Sequence, residues 1–516
     1  MKIRILSLLC FLLGSNFLYS EDIDIYHTSD VHGMYSSRAA KWDKENSTRT
    51  IGGFAAFKSL VSKDTNTVIL IDSGDMFQGS PEGNTTKGLA SINYMNMLGY
   101  SAAIVGNHDY DYGEENLKEI IKAANFPFLG ANVYYKKDLK PVEYLKPWVI
   151  IDKGGKKIAI LGIIGEHTKT TTLPLNVSHL IIKDEAKEAE KYMEEINKEN
   201  PDAVIILAHI GLDGNLSQKI VDVSTYTMTK TNHTTLGVAR AAKTANVVLG
   251  GHIHAGLLNG YRDTQTGTLI CESYYGLTHT TRIKLSFDDK TGKLIDSSCS
   301  LIPLWVDQTG EDSDVLSLTQ KISSETAKKM DIVIGHSSKD INYESDTIDN
   351  SIGNFVTDIT RWKAGADIGF QNSGGIRNFI AAGDVRLRDA YEVMPFENTI
   401  YRVKMKGSEI YDVIRENFRG NRTSMYISGI KVKYWLKDGI VSKIEIEKDG
   451  KPIEMDKIYT VATNNYLASG GSGGKTITAA KDKEDTMVLV RDAMIEWIKT
   501  QKEIVPADTG RFIKME

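Results

Sequence analysis

Cysteine is scarce in this chain: 516 residues hold only three, Cys10, Cys271 and Cys299. That excludes a disulfide-built scaffold, and the two in the body of the chain are too few for a zinc site of three or four thiolates. Basic residues are not in excess either. Lys plus Arg number 62 against 67 Asp plus Glu, giving a net charge of −5 and a pI near 6.2. Nucleic-acid-binding domains are usually basic, with a pI above about 9, so no nucleic-acid polymer is expected as a partner. Long apolar runs are missing too, with one exception at the N-terminus. What remains is ordinary globular composition, 41% hydrophobic and 25% charged, enough for two to four domains at roughly 100–200 residues each.

The exception is Ile5 to Tyr19, preceded by Lys2 and Arg4 and followed by Ser20. It is shorter than the roughly 20 apolar residues a spanning helix needs. Basic, apolar and small residues in that order predict a secretory signal over 1–20, removed after Ser20. Loss of Lys2 and Arg4 takes the net charge from −5 to −7. The protein is then expected to be exported, periplasmic or at the cell surface, with no integral membrane segment left. Export permits a bridge between Cys271 and Cys299, but spacing does not decide it. Asn-X-Ser/Thr sequons such as those at Asn46, Asn84 and Asn176 matter only in a eukaryotic secretory pathway.

Short apolar runs then alternate with polar helical stretches. The runs are Ile23–Tyr26, Thr67–Ile71, Ala102–Val105, Phe126–Leu129, Lys157–Ile164, Ala203–Leu207 and Asn246–Leu249; helices are expected at Glu114–Ala124 and Asp184–Lys198. This alternation predicts an α/β domain. From Thr266 to Leu304 the pattern is strands and turns, with a hairpin at Asp288–Gly292. Glu311 to Met330 lacks Gly and Pro and reads as a connecting helix, with Asp312–Lys329 at its heart. A second unit follows from Asp331. Helices are expected there at Ile352–Lys363, Ser408–Phe418 and Thr486–Lys499, and strands at Ile400–Met405, Ile430–Trp435 and Ile444–Glu447.

The chemistry lies in where the histidines fall. Ten of 11 precede residue 300, and five of them sit in polar clusters directly behind apolar runs. The clusters are Asp30-Val31-His32, Gly74-Asp75, Gly106-Asn107-His108-Asp109, His209 and Gly250-Gly251-His252-Ile253-His254. Strand carboxyl ends are where open α/β sheets bind ligands. Alone, a Gly-Asp is usually a turn, and an Asp-X-His is usually a satisfied polar pair. Five clusters in series, each behind a strand, are more than turns. Carboxylate, imidazole and amide donors without thiolates suit zinc, manganese or iron(II). Asp30, His32, Asp75, Asn107, His209, His252 and His254 are too many for one tetrahedral ion and suit two ions sharing a carboxylate, the arrangement that hydrolyses phosphate esters. His108, beside Asp109, is left over as a candidate acid or transition-state stabiliser.

These clusters resemble the motif series of the calcineurin-like metallophosphoesterases. The opening His27-Thr28-Ser29-Asp30-Val31-His32-Gly33 resembles the 5'-nucleotidase family within them. Asn372-Ser373-Gly374-Gly375-Ile376-Arg377, Met394-Pro395-Phe396-Glu397-Asn398 and Ala462-Thr463-Asn464-Asn465-Tyr466 resemble that family's second domain. The resemblance implies a four-layer αββα metallophosphatase domain over 21–305, a linker helix over 306–330 and a C-terminal substrate-binding 5'-nucleotidase domain over 331–516. It implies two divalent metals, manganese, zinc or similar: one on Asp30, His32, Asp75 and His254, the other on Asp75, Asn107, His209 and His252. It implies His108 and Asp109 as a catalytic pair assisted by Asn107, Phe396 and Tyr466 around a nucleobase, Arg377 at the phosphate, and Asn372 and Asn398 as polar contacts. It also implies a C-terminal domain that swings on the linker helix, in a monomer or dimer.

Two departures stand out. Relatives carry arginine shortly before the stretch matching Ser351-Ile352-Gly353-Asn354, whereas here no Lys or Arg lies between Lys339 and Arg361, and Asp346 falls near the expected place. The glycine-rich loop has Ser472 where relatives have an aspartate for the ribose hydroxyls. The expected activity is hydrolysis of nucleoside 5'-monophosphates or related nucleotides to nucleoside and phosphate by a metal-bound hydroxide. The alternatives are a 2',3'-cyclic-nucleotide phosphodiesterase with 3'-nucleotidase activity, a UDP-sugar hydrolase, and a surface binding module without turnover.

Overall fold

The computed structural model describes residues 22–228, 230–343 and 348–515. The expected signal over 1–20 and Asp346 lie outside the described residues. Among the described residues, no helix is long and apolar enough to cross a membrane.

The N-terminal unit is built on two six-stranded sheets. The first runs in the spatial order Leu294–Pro303, His279–Phe287, Ile23–Thr28, Thr67–Asp72, Ala102–Ile104 and Phe128–Leu129. The second runs Tyr261–Arg262, Leu269–Glu272, Val247–Gly250, Ala203–His209, Lys156–Ile164 and Trp148–Lys153. The central pairs of both are parallel, so their carboxyl ends share one rim.

Side chains explain the stacking. Ile69 and Ile71 point to one face of their strand and meet Ile205 and Leu207 of the other sheet in a common core. Leu70 turns the other way, into a helix-covered layer with Phe57, Leu98 and Ile120. Ile206 and Ala208 do the same on the far side, against Tyr192, Ile196 and Leu236. Burial on both faces is why these strands read as continuous apolar runs. The result is four layers, helix–sheet–sheet–helix.

The connecting helix is Ser313–Met330, capped by Asp312, whose carboxylate accepts from the Asp314 and Val315 amides. Such a cap is worth about 1 kcal/mol. Val315 and Ile322 join the N-terminal core, and Thr319 Oγ1 accepts from Tyr94 Oη at 3.0 Å.

The C-terminal unit has a five-stranded sheet in the order Met425–Ser428, Ile368–Asn372, Ile458–Asn464, Thr399–Lys406 and Lys483–Leu489. Helix Ser351–Ala364 packs in one apolar cluster and helix Gly407–Asn417 in another. Ile368–Asn372 and Ile458–Asn464 are parallel neighbours, so Asn372 and the turn bearing Tyr466 emerge side by side. One expected helix is corrected. Thr486–Leu489 belong to strand Lys483–Leu489, and the helix spans Val490–Gln501. The Thr486 hydroxyl donates to the Ile400 carbonyl at 2.7 Å, and Leu489 pairs with Thr399. Sheet pairing outweighs local helical character here.

Cys271 and Cys299 are free thiols in the core between the two large sheets. Burial and their mutual contact push the Cys271 thiol well above its ordinary pKa. The folded protein is therefore expected to resist a thiol reagent that labels both cysteines once it is unfolded. Mass spectrometry of the chain from residue 21 onward, labelled in denaturant without reductant, reads two adducts if both are free and none if they are bridged.

Candidate metal centre and substrate cavity

All five polar clusters meet on the shared rim. Asp30, His32 and His254 form one group of potential donors; Asp30, Asp75 and His209 form a second that overlaps it. His32 Nε2 and His254 Nε2 face each other at 2.9 Å. His209 Nε2 lies 3.1 Å from Asp75 Oδ2, although it makes no directed hydrogen bond. Asn107 Oδ1 is 2.9 Å from His252 Nδ1. All of these side chains are buried except that of His252, which is half-buried.

The backbone is bent to bring them there. Asp30, His32, Asp75, His252 and His254 all have left-handed φ, between 51° and 70°. That region costs a non-glycine residue about 1–2 kcal/mol. Five such residues around one point are strain concentrated at a functional site.

Ring orientation is set from behind. His32 Nδ1 donates to the Gln78 carbonyl at 2.8 Å, and His209 Nδ1 donates to the Ser73 carbonyl at 2.6 Å. Both Nε2 atoms are thereby turned inward, as backing carbonyls do in metal sites. Burial and charge oppose each other at these groups. Burial and neighbouring Asp75 push Asp30 up to about 7, against the pull of His209. Burial lowers His32 to about 3 and holds His252 and His254 well below their ordinary range. Against burial, Asp75 and Asp30 raise His209 to about 10, so its imidazolium stands where a cation is called for. That cationic place, the neutral imidazoles of His32, His252 and His254 and the converging carboxylates fit divalent metal.

The expected His108–Asp109 pair is corrected. Asp109 is fully buried, and its carboxylate accepts from the amides of Asp75, Met76 and Gly106 at 2.8–3.0 Å. It clamps the ligand loops. The group beside His108 is Asp111, whose Oδ2 accepts from Nδ1 at 2.8 Å. Residues 108–110 form a 3-10 turn, which brings side chains three apart onto one edge and sends adjacent ones apart. Burial opposes protonation of His108, but Asp111 and Asp75 prevail and raise its pKa. Its Nε2 accepts from Arg377 Nη2 at 2.8 Å.

Beyond His108 opens a cavity of about 410 Å³ between the two units. Asn107, His108 and His252 line its floor; Asn372, Arg377, Phe396, Asn398, Tyr466 and Ser472 line it from the C-terminal unit. All six expected substrate residues are thus gathered in one place. Phe396 stacks on His108 with ring centres 5.2 Å apart, and the Arg377 guanidinium lies 5.3 Å from its centre. Tyr466 Oη donates to the Thr170 carbonyl, which also accepts from the Ser472 amide. Pro395 carbonyl accepts from Gln78 and Asn84, another fastening between the units.

Three residues were not anticipated. Asp111 lay three places from His108. Arg419, on a short hairpin, lines the cavity as a second guanidinium where the segment before Ser351 supplies none. His167 follows the strand that ends at Ile164, behind Gly165 and Glu166, in the same strand–glycine–polar pattern as the recognised clusters.

Acid and imidazole donors on a double-sheet rim, facing a cavity that carries arginine, define a metal-dependent phosphoric ester hydrolase. The comparisons agree. Residues 23–256 match the calcineurin-like phosphoesterase model and residues 333–482 match the 5'-nucleotidase C-terminal domain model. The chain is 26% identical over 535 residues to a Vibrio cholerae 5'-nucleotidase, covering 95% of this chain and 92% of that protein. It is also 26% identical to the trifunctional nucleotide phosphoesterase YfkN of Bacillus subtilis, over 95% of this chain and only 35% of that longer protein. The crystal structure of a 5'-nucleotidase precursor from Thermus thermophilus superposes with a TM-score of 0.80 at 23% identity, over 96% and 99% of the two chains. The chain carries a calcineurin-like phosphoesterase domain followed by a 5'-nucleotidase C-terminal domain, and is a metal-dependent phosphoesterase of the 5'-nucleotidase type. That fold implies divalent metal, and the donors above fit it.

Proposed function

We propose that this is an exported, two-metal phosphohydrolase that releases phosphate from nucleoside 5'-monophosphates. The observation that carries the reading is the single cavity with metal donors at its floor and Arg377, Arg419, Phe396 and Tyr466 on its walls. Its volume is within the usual range of about 300–1,000 Å³ for small-molecule sites. The basic–apolar–small N-terminus supports export.

Asp30, His32, Asp75 and His254 would hold one ion. Asp75, Asn107, His209 and His252 would hold the other, with Asp75 shared. Two ions there would withdraw charge from the phosphoryl oxygens and ease ionisation of the attacking water. The protein's own groups do the rest. Asp111 fixes His108 Nδ1–H, so that Nε2 faces the cavity and carries the proton given to the departing ribose oxygen. Arg377 shifts from His108 to the phosphoryl oxygens, where a guanidinium can bind two at once. Phe396 and Tyr466 present aromatic faces to the base, which is sequence-tolerant recognition. Asn372 and Asn398 orient the sugar, with Ser472 at its hydroxyls.

The test is phosphate release by the mature protein, stripped and then reloaded with manganese or zinc. The substrates are 5'-AMP, 3'-AMP, 2',3'-cyclic AMP and an aryl phosphate, with Asp75→Ala as the blank. Metal-dependent release should be strongest on 5'-AMP. Release from the aryl ester alone would reassign the substrate, and no release from any of the four would favour a binding module.

A further inference from the structure

His167 is the one histidine near the metal donors that has no role in the site as described so far. Its ring stacks on His252 with centroids 3.6 Å apart and planes 24° from parallel. Its Nε2 is buried and has no hydrogen-bond partner, whereas His209 Nε2 lies 3.1 Å from Asp75 Oδ2. Donor atoms of His167, His209 and His252 all lie within 4.8 Å of one another. Three nitrogens held about 2.1 Å from one ion lie roughly 3.0–3.6 Å apart, so ligation asks the rings to close on the ion by up to about 1 Å and the His167–His252 stack to open.

The backbone is shaped for the ring. Ile164 pairs with His209 across parallel strands, which places the loop after Ile164 on the ligand rim. A Cβ at Gly165 would collide with His167 Cε1 and Nδ1 and crowd the His209 carbonyl. Only glycine lets the imidazole fold back here. The far end of the loop is tied to the same site, because the Thr172 hydroxyl donates to the Asn107 carbonyl at 2.7 Å.

We propose that His167 is a further ligand of the ion assigned to Asp75, Asn107, His209 and His252. The inference rests on the two-metal reading above. It gives that ion five protein donors, which favours a metal of higher coordination, such as manganese or cobalt, over tetrahedral zinc.

The experiment titrates the metal-free full chain with Co²⁺, followed by calorimetry and by visible absorption. Wild type should show two binding steps, and His252→Ala marks the step that belongs to this ion. His167→Ala should weaken that same step about tenfold or more and change its absorption band, leaving the other step intact. His167→Phe keeps a ring stacked on His252 but removes the nitrogen, and should weaken binding equally; it also stands in if the alanine variant does not fold. If His167→Phe binds both ions as wild type does, with an unchanged spectrum, His167 is a packing residue and the assignment falls alone. If wild type binds fewer than two ions, the two-metal reading falls and takes this assignment with it.

Discussion

Removal of divalent metal by a chelator is expected to lower the melting temperature by roughly 10 °C for each ion lost, with recovery on adding metal back. An ion present at a thousand times its dissociation constant stabilises the folded state by about 4 kcal/mol. In a domain of this size each kcal/mol moves the midpoint by about 2–4 °C. The particulars of the rim point the same way. Without a cation, Asp30 and Asp75 press on each other with the His209 imidazolium to offset them, while the His32 lone pair is turned inward by the Gln78 carbonyl. Five residues are held in left-handed backbone with nothing to bind. Thermal scans with chelator, then with excess manganese, read this directly. Identical midpoints would show that no divalent ion contributes to the folded rim.

The second large effect separates two neighbouring acids. Asp111→Asn should keep the fold, because Asp111 touches the His108 side chain rather than the backbone. It should lower kcat, and His108→Ala should lower it further, by about 10²–10⁴, the usual worth of a positioned acid. Asp109→Asn should act on stability instead. Its carboxylate accepts three backbone amides in a fully buried place. Leaving such donors poorly met costs about 1–3 kcal/mol apiece. Denaturation midpoints and single-turnover rates on both variants make the distinction. If Asp109→Asn unfolds like wild type while kcat collapses, and Asp111→Asn is fully active, the acid roles assigned by this geometry are reversed.

The strand ends were legible because buried parallel strands are written as unbroken apolar runs, and a polar cluster after one stands out. Asp30, Asp75, His209 and His252 were visible on that ground alone. Asp111 was not, because sequence adjacency favoured Asp109 and only the 3-10 turn reveals which carboxylate reaches the imidazole. His167 carried a usable signal, an apolar run followed by glycine and polar residues, but nothing linear marks a ring folding back over a glycine. Arg419 lies on a hairpin far from the other cavity residues in sequence, and only the packing of the C-terminal unit brings it to the wall. The strand at Thr486–Leu489 was hidden for a similar reason, since its pairing with Thr399 is a tertiary fact. Six of the C-terminal unit's cavity residues, Asn372, Arg377, Phe396, Asn398, Tyr466 and Ser472, are legible through family motifs rather than through any pattern of spacing.

The left-handed backbone at Asp30, His32, Asp75, His252 and His254 bears on how this sequence can evolve. Glycine relieves such strain at any of these positions, so drift toward stability alone would move all five to glycine. Most proteins keep only enough stability to stay folded, and function is what opposes the gain. These positions therefore form a selection gauge within the chain. In a population of homologues, a lineage released from catalysis should accumulate glycine at them before its apolar strands begin to decay.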